Sequence, residues 1–149
     1  MRLVGSEQIK PKIVEMFNDA EYYVDMVTCL YPKFYNDDEV RTALENCIKR
    51  VAKFRILIDK RVDIENLKKE VSWIFNLNKA FPLSIAIANS PVKHIIVADD
   101  KYVRLEELHS VTEEVKNIKN VLIKNPPWYI VEATRELFEE YWRSSKVIE

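Results

Sequence analysis

Four short runs of β-branched, aliphatic and aromatic residues, Tyr22 to Leu30, Phe54 to Ile58, Leu83 to Ala88 and Val92 to Ala98, are the most constraining feature of the chain. Between the first three lie segments whose apolar residues recur at intervals of three and four. Such a run fits a buried strand, and such intervals fit a helix with one apolar face. Strand and helix in alternation imply parallel pairing, because a helical crossover brings each strand back beside the last in the same direction.

The segment boundaries carry the expected punctuation. Ser6 stands as an N-cap before Ile9, Ile13, Val14 and Phe17, which share one helical face, and the first helix is predicted to run to about Asn18, with Pro11 in its first turn. Asp37 or Asp38 caps a second helix, whose apolar face is Val40, Ala43, Leu44, Cys47, Ile48 and Val51 and whose Lys49 and Arg50 complement the dipole at its C-terminal end. Asp63 caps a third, with Ile64, Leu67, Val71, Ile74 and Phe75 facing inward. The polar turn Asp99-Asp100-Lys101 folds the Val92–Ala98 strand back on Tyr102 to Leu105, predicting a β-hairpin. A short strand at Asn120 to Lys124 follows, and then a helix after Pro126-Pro127 that carries Ile130, Val131, Thr134, Leu137, Phe138, Tyr141 and Trp142. The expected class is α/β, a mixed β-sheet sandwiched by helices, in a single domain spanning residues 1–149.

Composition excludes several functions. Charged residues are 32% of the chain but nearly cancel, to −1, so no global field draws it to nucleic acid or to an anionic membrane. A single glycine rules out the phosphate-cradling loops, which need several for close backbone approach. That scarcity of glycine, with one glutamine and many Lys, Glu, Ile and Val, fits a thermophilic source. Cys29 and Cys47 lie in apolar contexts without metal-ligand spacing, so they are expected as reduced core residues, with no metal and no cofactor. The first residues lack a signal-peptide apolar stretch and no 18 apolar residues run together, so a cytoplasmic protein without a membrane span is expected.

The chain has two histidines, His94 and His109, to which any imidazole chemistry is confined. His94 alternates with Ile96 and Ala98 on one face of the predicted strand, whereas His109 lies in the charged segment Glu106 to Ser110 and is expected to be solvated. The stretch Pro91-Val92-Lys93-His94-Ile95-Ile96-Val97-Ala98-Asp99-Asp100-Lys101-Tyr102-Val103 resembles the signature hairpin of the phospholipase D superfamily. In that family a strand carries His-x-Lys, four apolar residues and Asp; the His attacks phosphorus or donates a proton, and the Lys binds phosphate. Aligned on Asp99, Val92 stands where the catalytic His belongs and His94 where the Lys belongs. Valine can neither attack nor carry a proton, and Glu106-Glu107 replaces the small Gly-Ser that usually follows, setting two carboxylates where a phosphate would bind. A reversed reading through Lys93-His94 fails, since neighbours on a strand point to opposite faces.

The flanks resemble one branch of the superfamily. Val4 to Ile9, leading through a helix to Ala20 to Val27, looks like the opening of the effector domain of archaeal TrmB-type transcription regulators, and Lys124 to Val131 with Leu137 to Trp142 looks like the closing strand and helix of phospholipase-D-like domains. The resemblance implies a ligand- or partner-binding regulatory module without catalytic residues. It also implies a homodimer, because two such modules face each other across their motif strands. The pocket is expected at that seam, near Ser90, His94, Asp99 and Glu106, for a small-molecule effector or a protein partner. The winged helix that reads DNA in such regulators has no counterpart here, so direct nucleic-acid binding is not expected. Two alternatives stand beside this: a homodimeric phosphodiesterase or nuclease using His94, and a purely structural interaction domain. The basic run Lys49, Arg50, Lys53, Arg55, Lys60 and Arg61 is expected to be solvated, and Trp128, Tyr129 and Trp142 to be core or dimer contacts.

Overall fold

A computed structural model describes residues 2–4, 9–106 and 120–148. The expected N-cap Ser6 and His109 lie outside them. In chain order the elements are β1 (Arg2–Val4), α1 (Ile9–Asp19), β2 (Tyr23–Thr28), α2 (Pro32–Tyr35), α3 (Asp38–Arg50), β3 (Lys53–Ile58), α4 (Ile64–Glu70), α5 (Ser72–Leu77), β4 (Leu83–Ile87), β5 (Ile95–Ala98), β6 (Tyr102–Glu106), β7 (Asn120–Lys124), α6 (Trp128–Arg143) and β8 (Lys146–Val147).

All the described strands join one sheet, in the order β1-β7-β6-β5-β2-β3-β4-β8. Its centre, β2-β3-β4, is parallel through helical crossovers, as the alternation requires; β5 pairs antiparallel with β2, and the outer strands are antiparallel to their neighbours. Period-two alternation sorts the strand residues onto two faces. Val24, Met26, Phe54, Ile56, Ile58, Ile85, Ile96 and Ala98 pack with α1, α3, α4 and α5 in the larger core. Val27, Leu57, Ala86 and Ile95 face α6 through Phe138, and Val97 and Val103 meet Val131. A mixed sheet lies between helices, as expected. Each fully buried aliphatic or aromatic side chain here contributes roughly 1.5–3 kcal/mol.

Asp37 caps α3 by accepting from the amides of Glu39 and Val40 at 3.1 and 3.3 Å, and Asp63 caps α4 through Asn66 N at 3.3 Å. The third predicted helix is broken at Val71, whose φ of −123° and ψ of 41° are not helical, into α4 and α5. β5 begins at Ile95, so His94 precedes the strand and does not lie within it, although its carbonyl still accepts from Glu106 N at 3.2 Å. Cys29 and Cys47 are buried free thiols; burial pushes their pKa values up, to about 11 and about 12. Leu30, Asp99 and Asn125 adopt left-handed backbone, with φ of 50°, 51° and 55°.

Candidate functional site

Two of the three parallel strands end on polar residues: β2 closes on Thr28, and β3 stops at Ile58 with Asp59 after it, almost wholly buried at 1% exposure. Pairing of Ile95 with Leu105 sets His94 opposite Glu106, and pairing of Glu106 with Asn120 carries the same line into β7. The side chains close a chain of contacts. His94 Nε2 lies 2.8 Å from Asp59 Oδ2 and His94 Nδ1 lies 3.0 Å from Glu106 Oε2. Arg104 donates from Nη2 to Glu106 Oε1 at 2.8 Å and from Nε to Asn120 Oδ1 at 3.0 Å. Arg61 closes the other end, donating to Asp59 from its backbone N, Nε and Nη2 at 3.0, 3.1 and 2.8 Å.

A carboxylate oxygen stands against each ring nitrogen of His94, an arrangement that favours the doubly protonated imidazolium, which donates from both. Burial opposes that charge, but the hydrogen bonds to Asp59 and Glu106 outweigh it and raise the pKa above the ordinary histidine value. Asp59 shows the complement: burial favours the neutral acid, yet His94 and Arg61 hold its carboxyl well below the usual range. An imidazolium has no lone pair with which to attack phosphorus or to take a proton. Of the two carboxylates expected to repel a phosphate, Glu106 is flanked by Arg104 and His94, and Glu107 lies outside the described residues.

Val92, which the motif resemblance aligns with the family's histidine, is buried with Val27, Leu57, Ala86, Ala88, Ile95 and Phe138. Lys93 is exposed while His94 is buried, so the two point apart, as the rejection of the reversed motif requires. The four residues expected at one pocket separate. His94 and Glu106 meet; Ser90 sits in an exposed bend after β4; Asp99 lies at the opposite end of β5, level with the start of β2. There its carboxylate accepts from the backbone amides of Glu21, Tyr22 and Tyr23 at 2.9, 2.9 and 3.0 Å, which makes it a tether between the hairpin turn and β2, away from His94 and Glu106.

Asp59, Arg61, Arg104 and Asn120 were not anticipated at the site. Asp59 carried one readable signal, an acid set directly after a strand that feeds a helical crossover, because open α/β sheets bind ligands at the carboxyl ends of their strands. A hollow of about 300 Å³ opens there between Cys29, Tyr31, Pro32, Val62, Asp63 and Asn66. The basic run is corrected at Arg55, whereas Arg50 is exposed as expected and still has partners. Arg55 is 8% exposed, donates to both carboxylate oxygens of Asp25 at 2.8 and 3.1 Å, contacts Glu139 and stacks on Phe138 and Trp142 at 4.8 and 5.4 Å. Arg50 donates to the carbonyls of Phe17 and Ala20 at 2.6 and 2.9 Å, holding the end of α1. Trp128 and Tyr129 are exposed, and Trp142 stacks on Phe138 at 5.7 Å. No group of acids, cysteines and histidines suited to a metal occurs among the described residues, and no described helix is long and apolar enough to cross a membrane.

No family model matches the chain, and no curated protein does. Solved structures do. TrmBL2, an archaeal chromatin protein whose structure shows a novel mode of DNA binding, superposes with a TM-score of 0.74 at 20% identity over 99% of this chain; the chain spans 52% of that protein. The phospholipase D family member Nuc from Salmonella typhimurium gives 0.68 at 19% identity, covering 95% of this chain and 91% of Nuc. NucT from Helicobacter pylori gives 0.68 at 12% identity, over 99% and 96%. The fold is phospholipase-D-like, in the form that TrmBL2 also carries.

Proposed function

We propose that this chain is a phospholipase-D-like module without the superfamily's catalysis, which binds a ligand or partner at the carboxyl ends of its parallel strands and serves regulation as a homodimer. One observation carries the reading: His94, the one histidine of the motif, has a buried carboxylate on each ring nitrogen, while the nucleophile's position is filled by buried Val92. The site keeps charge and loses reactivity. A separate hollow of about 300 Å³ lies beside the ends of β2 and β3, lined by Cys29, Tyr31, Pro32 and Val62 and by none of the His94 network; its size is at the lower limit of small-molecule pockets, so a ligand held there is small or is shared with a second copy across the seam.

The test is a thermal-shift screen against sugars, nucleotides and short nucleic acids, because a ligand that binds only the folded chain raises its melting temperature. The reading expects a hit that disappears in His94→Ala and no cleavage of bis(p-nitrophenyl) phosphate. Cleavage lost in His94→Ala would overturn it in favour of a phosphodiesterase, and a monomer by light scattering would remove the seam. The likeness to TrmBL2 supports a second reading, contact with DNA. Against it stand the net charge of −1 and the engagement of Arg50, Arg55 and Arg61 with partners inside the fold. A gel-shift titration with duplex DNA decides between the two.

A further inference from the structure

The outer face of α6 takes no part in the His94 network. Along it Trp128, Glu132, Glu136 and Glu140 follow at four-residue steps, all exposed. Residues four apart stack on one side of a helix, so three carboxylates run in file from an indole. Trp128 is 74% exposed and meets the ring of Tyr129 edge-on at 5.9 Å. The file borders a groove of about 940 Å³, lined also by Asp100, Pro126, Val131 and Glu139.

The guanidinium groups of this groove are engaged within the fold. Arg135 lies 3.7 Å from Asp100 and stacks on Tyr23 at 4.6 Å, and Arg143 donates to the Glu139 carbonyl at 3.4 Å. Among the described residues Glu132, Glu136 and Glu140 make no ion pair. Like charges four apart destabilise a helix, and an indole in water leaves a large apolar ring unburied. One kind of partner relieves both, with a cation over the ring and further cations along the file.

We propose that this ridge docks a lysine- and arginine-rich segment of a partner protein, independently of what the His94 site binds. Four helical residues rise about 6 Å and two extended residues span about 6.6 Å, so basic residues at alternate positions of an extended segment meet Glu132, Glu136 and Glu140 in turn. A further cation then lies over Trp128. An acidic ridge repels nucleic acid, which separates this surface from any DNA contact.

The experiment titrates the full chain with a short alternating Lys-Ser peptide and follows tryptophan emission. The expected result is a saturable change at low salt that weakens as ionic strength rises. It disappears in Trp128→Phe and weakens about tenfold or more, equivalent to about 1.4 kcal/mol, in the triple variant Glu132→Gln, Glu136→Gln, Glu140→Gln. Glutamine keeps helix propensity, so the triple variant folds, which circular dichroism checks. Glu65→Gln on α4 serves as control and leaves binding unchanged. Wild-type affinity in the triple variant, equal weakening by the control, or no saturation overturns the proposal; so does a dimer that dissociates in the triple variant while the peptide fails to bind, since the ridge would then hold a second copy.

Discussion

The hairpin of β5 and β6 has a buried carboxylate at each end, and the two are satisfied by different means. At the Asp99 end the donors are three backbone amides at the start of β2. At the other end Glu106 is met by the side chains of His94 and Arg104, and Asp59, set against it from the end of β3, by those of His94 and Arg61 with one backbone amide, that of Arg61. Backbone donors are fixed by the fold, and no ligand displaces them. Side-chain donors are held only by one another, so a ligand that supplies equivalent charges can exchange with them. On the proposed function, the difference separates a structural end of the motif from the end at which a ligand would bind.

The comparison breaks first, if at all, at His94. Its replacement by alanine leaves Asp59 and Glu106 buried without the cation between them, and breaking a buried charge pair this way costs about 3–5 kcal/mol. Urea denaturation should show the midpoint falling accordingly, and a loss below about 1 kcal/mol would mean that water reaches the site and screens it. Asp99→Ala removes one carboxylate from three amides, two of them in the exposed residues Glu21 and Tyr22, so a smaller loss of about 2–3 kcal/mol is expected. If Asp99→Ala proves the costlier change, the side-chain network is the weaker of the two ends. Val92→His sharpens the contrast by placing the family's residue type in the apolar cluster around Phe138; a loss of about 1–3 kcal/mol without any gain of phosphodiester cleavage is expected.

The smallest effect is the pH dependence. His94 has a raised pKa in the fold, so its contribution is fully present below the unfolded histidine value of about 6.5 and is lost as pH rises through the folded value. Asp59 has a lowered one, so its contribution is present above about 3.8 and lost as pH falls through the folded value. The stability gap between wild type and His94→Gln should therefore be widest between about pH 4 and 6.5 and should narrow above that range. A gap that widened toward alkaline pH would contradict the imidazolium.

How legible all this was depends on whether a residue's partners lie near it in sequence. α3 and α6 were readable because three- and four-residue intervals are local, and the β5–β6 hairpin because its turn is. The break at Val71 was not, since the apolar pattern continues across it into α5. β1, α2 and β8 went unread: they are two to four residues long, and the pairing of β1 with β7 and of β8 with β4 is settled by distant strands. At the site His94 and Glu106 were found through the motif, but the tether made by Asp99 spans 76 to 78 residues and leaves no pattern. Arg55 looked solvated because it stands in a run of basic residues. A usable signal was present: Asp25 is the charged residue of β2 and Arg55 the one inside β3 beyond its first residue, Lys53; each is third in its strand, and the parallel register pairs them directly.

The three left-handed corners have a consequence for the unfolded chain. Leu30, Asp99 and Asn125 occupy backbone that glycine would adopt without strain, in a chain with a single glycine. Holding such a residue left-handed costs about 1–2 kcal/mol. In the denatured ensemble, however, a side chain forbids conformations that glycine would explore, which returns about 0.4–1 kcal/mol of entropy at each position. Much of the strain is thus offset before a single contact is counted, and the corners are left with side chains to use. Leu30 puts one in the core and Asp99 puts one across to β2, neither of which a glycine could do.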